Sequence, residues 1–178
     1  MKVIFLDFDG VLNSAASFVL EARFRKENKV FDDLCPVNET LCHICTSNFR
    51  HILDEVPDVK IVISSSWRNL FELEWLKDKL QEYKIPRDFV IDKTPVVRMF
   101  GDRGEEIAEW LKEHPEVTNF VILDDNYIGP PFQRTPYTDG DNFVKTSWNT
   151  GLTLPLAVKA VKILGGKDRT LKLHLEHE

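Results

Sequence analysis

The chain has 178 residues, 43% of them hydrophobic, which suffices for a single domain, 1–178, with a full-sized core. Its formal net charge of −6 lacks the basic excess of a protein that lives on a phosphate backbone, although a local basic patch stays compatible with it. The longest apolar runs are strand-length and the first carries Asp7 and Asp9, which argues against both a membrane span and a secretory signal.

In chain order, the first predicted element is a strand, Val3–Asp7, dominated by β-branched and aromatic residues. The stretch Ser14–Pro36 shows no clean period and reads as irregular. Leu41, Cys45, Phe49, Ile52 and Val56 then recur at helical spacing, with Asn38 as a plausible N-cap. A second strand covers Val59–Ser64, and Leu73, Leu76, Leu80 and Tyr83 mark the next helix. A short strand follows at Phe89–Ile91. In "GDRGEEIAEWLKEHP", Asp102 and Glu105 have capping-box spacing, Ile107, Trp110 and Leu111 face the core, and Pro115 marks the exit. Phe120–Asp124 is a fourth strand. Tyr127–Thr150, rich in Pro, Gly, Asp and Asn, reads as an exposed loop. Thr153 caps a last helix with Leu154, Ala157, Val158, Val161 and Leu164, closed by Gly165 and Gly166.

Continuous apolar strands imply a sheet covered on both faces, hence parallel. Their alternation with helices predicts an α/β, Rossmann-like doubly wound parallel sheet with helices on both faces. Ligands of such sheets bind beyond the carboxyl ends of the strands. Three of these strands end in oxygen-bearing groups, at Asp7, at Ser64 and at Asp124-Asp125, and those groups should converge. Two negative charges ~4 Å apart repel by about 4 kcal/mol at an effective dielectric near 20. Against a domain stability of ~5–15 kcal/mol, such a cluster needs protons or a cation. An all-oxygen aspartate site suits Mg²⁺.

These residues resemble the haloacid dehalogenase-like phosphohydrolases, through four ordered motifs between Val3 and Leu164. "DFDGVLN" is similar to the family's DxDG signature. The resemblance implies that Asp7 is the nucleophile, forming an aspartyl-phosphate and binding Mg²⁺, and that Asp9 is the general acid/base and ligates the metal through its carbonyl. Gly10 would let the chain turn away and leave room for the phosphoryl group. In "VISSSWR", Ser64 would hydrogen-bond the transferring phosphoryl, with Ser65 as a register-shifted alternative. In "RGEEI", Arg103 stands where the family often has Lys, keeping the charge and adding bidentate reach at a helix start; Lys93 is the other candidate. In "LDD", Asp125 is the expected metal ligand, and Asp124 a partner of Arg103 or a water-mediated ligand.

The strings "LDFDGVLN", "SSSWR", "RGEEIAEWL", "VILDD" and "GLT" look more narrowly like the branch found in RNA-repair proteins of the Swiss-army-knife type. That implies phosphate removal, with RNA or DNA ends or nucleotides as substrate class. Small metabolites or phosphoproteins are the alternative, and a phosphate-binding module without turnover is the reading from another class. Neither a membrane nor an obligate protein partner is expected. Many relatives carry a cap domain. Here 14–36 is too short for a separate core, so a flap at 14–36 and a loop at 127–150 are expected to rim a minimally capped site.

Arg23, Arg25, Lys26 and Lys29, with Arg68, are candidate contacts to further phosphates, against the simpler reading of a solvated helix face. Phe18, Phe24, Trp67 and Tyr127 are candidate stacking groups, against ordinary packing. Cys35, Cys42, His43, Cys45 and His51 superficially suggest zinc. Cys42 and Cys45 fall on an apolar helical stripe, however, and read as buried thiols. Three cysteines, an odd number, fit a reducing compartment, so a cytoplasmic location is the expectation.

Overall fold

The computed structural model describes residues 1–28, 40–97, 103–126 and 142–167. Its centre is a five-stranded sheet built from β1 (Lys2–Leu6), β2 (Val59–Ile63), β3 (Val90–Lys93), β4 (Asn119–Asp124) and β5 (Phe143–Lys145). The order across the sheet is β3-β2-β1-β4-β5, and every neighbouring pair is parallel. The chain thus winds outward through β1, β2 and β3, then returns to the other side of β1, as a doubly wound α/β fold requires.

Both faces of the sheet are covered, which explains why its central strands carry few polar residues. On one face Ile4, Leu6, Ile61, Ile63, Val121 and Leu123 pack against apolar residues of α2 (His43–Glu55), α3 (Leu73–Glu82) and α5 (Leu154–Ile163). On the other face Val3, Phe5, Val62 and Ile122 meet Ile107 and Trp110 of α4 (Arg103–Glu113). The Trp110 ring stands edge-on to Phe5, with centroids 5.5 Å apart. Trp75 packs against the first core from its margin. Among the described residues, no helix is long and apolar enough to cross a membrane.

Two stretches expected to be irregular contain regular structure. Most of 14–36 is helix α1 (Ala15–Asn28). Its apolar side chains do not gather on one face, and Val19 and Leu20 are 68% and 62% exposed, so periodicity gave no signal. What makes it a helix is local: Ala, Leu, Glu, Arg and Lys are good helix formers, and Ser14 and Ser17 cap its start reciprocally. The 127–150 stretch, expected to be loop, contains β5, a three-residue edge strand paired with β4. Residues 29–36 of the first stretch and 127–141 of the second lie outside the described residues, as do the expected caps Asn38 and Asp102. Cys42 occupies the N-cap position of α2, and Thr153 that of α5.

Candidate active site

The parallel ladder brings strand ends to one edge in register. Leu6 pairs with Ile63 on one side and Leu123 on the other. The next residues continue the ladder: Asp7 donates its N–H to the Leu123 carbonyl at 3.1 Å, and Ser64 donates to Leu6 at 3.0 Å. Thr94 N–H reaches Ile63 at 2.9 Å, and Thr146 N–H reaches Asp124 at 2.9 Å. One row across the carboxyl edge of the sheet therefore reads Thr94, Ser64, Asp7 and Asp124, with Lys145 beside Asp124 and Thr146 just past the end of β5. The hydroxyls of Ser64, Thr94 and Thr146 are buried there without a hydrogen-bond partner. Buried hydroxyls ordinarily have one, so this edge is short of partners that a bound ligand or water would supply.

Asp7, Asp124 and Asp125 each place a carboxylate oxygen within 4.8 Å of the others. Asp7 and Asp124 are buried, and Asp125 is half-buried. Arg103, the first residue of α4, sends Nη1 to Asp7 Oδ2 at 2.5 Å and also to Asp124 Oδ2. Asp7 Oδ1 accepts the Phe8 N–H at 2.8 Å. Burial alone would lower Arg103, but the facing Asp7 and Asp124 carboxylates outweigh it and hold the guanidinium above its ordinary value. Burial first, and the Asp7 charge second, push Asp124 up to about 7 against the pull of Arg103. Asp125 is raised by the same two causes.

The donor set is three carboxylates, all oxygen, with its charge only partly offset by one guanidinium. That fits Mg²⁺, which favours carboxylate and water oxygens. Gly10 belongs to the same construction. It has a φ of +68°, and a Cβ on it would lie 2.2 Å from the Asp125 carboxyl carbon. The space left by the missing side chain is thus filled by Asp125. Gly10→Ala is expected to displace Asp125, weaken Mg²⁺ binding roughly tenfold or more and cost about 1–2 kcal/mol from the left-handed backbone. A calorimetric Mg²⁺ titration beside a denaturation curve reads both; unchanged Mg²⁺ affinity would remove Asp125 from the metal set.

The raised Asp124 sets a pH dependence whose sign follows from proton counting. Between about pH 4 and 7 the folded chain holds a proton on Asp124 that the unfolded chain, with its ordinary value of 3.8, has released. The folded state binds more protons, so stability falls as pH rises through that window. A cation on the cluster would replace that proton. Thermal melts without metal should therefore show this decline, and added Mg²⁺ should stabilise more at pH 7 than at pH 5. An equal Mg²⁺ effect at both values would count against a shared proton and cation site.

Asp9 is held by two donors that the sequence did not suggest. Asn13 Nδ2 donates to its Oδ1 at 2.9 Å, and Trp67 Nε1 donates to its Oδ2 at 2.9 Å. Asn13 Oδ1 also accepts the Gly10 N–H at 3.1 Å, which ties the loop to itself. The loop turns tightly because the N–H groups of Val11, Leu12 and Asn13 all approach the Phe8 carbonyl, at 3.2, 2.8 and 3.2 Å. Trp67 is buried, packed edge-on against Phe8 at 5.0 Å, so its ring is not an open stacking platform. The one signal available was Asn13 itself, four residues after Asp9 and closing the motif.

Other expected site residues are engaged elsewhere. Ser65 Oγ accepts the Trp67 N–H at 3.3 Å and caps the short 3₁₀ turn Ser66–Asn69, whereas Ser64 Oγ has no partner. Arg68 is buried, with hydrogen bonds to the carbonyls of Ser64 and Ser65 at 2.8 Å each, to that of Thr94 at 3.2 Å, and to Glu106. Its guanidinium is turned into the protein and braces the segment after β2. Lys93 Nζ bonds the carbonyls of Arg68 and Phe71 at 3.1 and 3.4 Å, leaving Arg103 as the cation beside Asp7. Of the basic residues on α1, Arg23 pairs with Glu27 on an exposed face, and Lys26 is exposed. Phe18 packs against Trp148. The side chains of Phe24 and Arg25, and residues Lys29, Cys35 and Tyr127, lie outside the described set. Among the described residues, no cysteine–histidine group assembles to hold a metal.

Comparison with curated proteins and with solved structures returns no match. The model of the HAD domain in Swiss Army Knife RNA repair proteins matches residues 3–157, nearly the whole described sheet and its helices. The chain belongs to that family, and with it to the haloacid dehalogenase-type hydrolases.

Proposed function

We propose that this protein is a Mg²⁺-dependent phosphatase that works through a phospho-aspartate on Asp7 and acts on phosphorylated nucleic-acid ends or nucleotides. What carries the reading is the joint placement of Asp7, Arg103 and the Asp124–Asp125 pair around one point at the sheet edge, where three carboxylate oxygens lie within 4.8 Å. The substrate class rests on the RNA-repair family to which the chain belongs.

In this mechanism an Asp7 carboxylate oxygen attacks phosphorus in line with the leaving oxygen. Asp9 gives that oxygen a proton, then takes one from the water that hydrolyses the phospho-Asp7 ester. Asn13 and Trp67 fix the direction in which Asp9 presents its proton. Arg103 neutralises the phosphoryl oxygens from the first turn of α4, where the helix dipole adds to its charge. The Ser64 hydroxyl, lacking a protein partner, is free to donate to a phosphoryl oxygen. Mg²⁺, held by Asp7, Asp125 and the Asp9 carbonyl with Asp124 beside them, would supply charge stabilisation for the transferring group.

The test is a panel of 3′- and 5′-phosphorylated RNA and DNA oligonucleotides set against sugar phosphates and phosphopeptides, each with Mg²⁺ and with chelator. Preferential, Mg²⁺-dependent release from oligonucleotides or nucleotides is the expected result. Preference for a sugar phosphate or a phosphopeptide would overturn the substrate class, and phosphate binding without turnover would overturn the enzyme.

A further inference from the structure

Helix α2 opens with a pair of cysteines that phosphoryl chemistry leaves unused. Cys42 is the N-cap residue and Cys45 closes the first turn. Residues three apart in a helical turn have Cα atoms about 5–6 Å apart, inside the range a disulfide spans. The two thiols sit in different surroundings. Cys45 is buried, and its thiol donates to the Thr150 carbonyl at 3.6 Å. Cys42 is half-buried and lines a cavity of about 280 Å³ with Phe18, Leu20, Leu41, His43 and Ile44. Leu20 and Ile44 are exposed, so the cavity meets solvent.

The chemistry of the pair is asymmetric in the same sense. The neighbouring Cys45 side chain brings Cys42 down to about 6 against the opposing effect of burial, with first-turn N–H groups and His43 adding to the fall. The Cys42 neighbour, together with burial, pushes Cys45 up. An accessible, acidic thiol backed by a protonated partner one turn along is the arrangement in which the first sulfur attacks and the second resolves.

We propose that Cys42 and Cys45 form a reversible dithiol–disulfide site that exchanges with low-molecular-weight disulfides such as glutathione disulfide. The Cys42 thiolate attacks one sulfur of the small disulfide, whose S–S bond breaks and whose other half leaves as a thiolate and is protonated by water. Cys45 then releases its proton to solvent, and its sulfur attacks Cys42, expelling the second small thiol. The two protein thiols are oxidised to a disulfide and the small disulfide is reduced to two thiols, with no other oxidant required.

The experiment uses the full chain carrying Cys35→Ser, treated with glutathione disulfide at neutral pH and followed by mass spectrometry. The expected product is two hydrogens lighter, keeps no glutathione, yields a peptide cross-linked between Cys42 and Cys45, and reverts with dithiothreitol. Cys45→Ser in the same background should instead accumulate glutathione on Cys42. The greater thiolate fraction, partly offset by lower nucleophilicity, predicts reaction roughly fourfold faster than an unperturbed cysteine peptide. A chain that stays reduced, that retains glutathione on Cys42 with Cys45 present, or that reacts no faster than the peptide overturns the proposal. Since Cys35→Ser keeps both thiols, these outcomes do not depend on the folding of the Cys45 variant.

Discussion

Asp7→Asn is expected to lower turnover by roughly four to six orders of magnitude while leaving the chain folded. An amide oxygen cannot replace the carboxylate as nucleophile, so the covalent route is lost. The fold should survive because little of it depends on the charge. Asn can still accept the Phe8 N–H, now taken by Asp7 Oδ1 at 2.8 Å, and Arg103 keeps Asp124 as a partner. Removing one of three clustered carboxylates also relieves repulsion, since the Asp7 charge is the second cause of the raised Asp124. A thermal midpoint within a few degrees of the parent is expected in the absence of metal. Asp125→Asn separates the nucleophile from the ligand: its loss should be recovered in part by high Mg²⁺, whereas that of Asp7→Asn should not. Turnover that persists in Asp7→Asn, or returns when Mg²⁺ is raised, would sink the phospho-aspartate.

The site was legible in the sequence wherever a strand end fixed it. A parallel ladder of the register Leu6–Ile63 and Leu6–Leu123 cannot avoid placing Asp7, Ser64 and Asp124 side by side. The apolar runs ending in those residues therefore carried nearly the whole geometry. Arg103 was readable for a related reason, as the first residue of a strongly patterned helix. Helix α1 was not, because its apolar residues keep no helical period and none of its described side chains is fully buried. Strand β5 was not, because three residues, Phe143–Lys145, cannot display alternation and owe their conformation to pairing with β4. Contacts between side chains distant in sequence were equally silent. Nothing local to Trp67 says that its indole reaches Asp9, and nothing local to Glu106 says that it meets Arg68 rather than the neighbouring Arg103.

That last pair carries the largest stability effect. Glu106→Gln is expected to destabilise the chain by about 3 kcal/mol or somewhat more, and to lower phosphatase activity although Glu106 is not placed against substrate. Both side chains are 5% exposed. Burial is the leading cause that lowers Arg68 and the leading cause that raises Glu106, and each partner's charge opposes the shift of the other. The ion pair therefore offsets a cost that each charge would otherwise meet alone. Glutamine keeps an acceptor oxygen but not the charge, leaving the buried guanidinium among neutral acceptors, that oxygen and the carbonyls of Ser64, Ser65 and Thr94. The carbonyls of Ser64 and Ser65 belong to the segment that carries the unpartnered Ser64 hydroxyl, so loosening Arg68 loosens the group proposed to meet the phosphoryl oxygen. Urea denaturation should show the midpoint moving down with an unchanged slope, and melting should fall by roughly 6–12 °C for a domain of this size. The double variant Arg68→Met with Glu106→Leu should recover much of the stability, because removing both buried charges costs far less than removing one. It should not recover activity, because methionine cannot hold the Ser64 and Ser65 carbonyls. If the double variant is less stable than Glu106→Gln, then the bonds from Arg68 to backbone, and not its charge balance with Glu106, hold this corner of the site together.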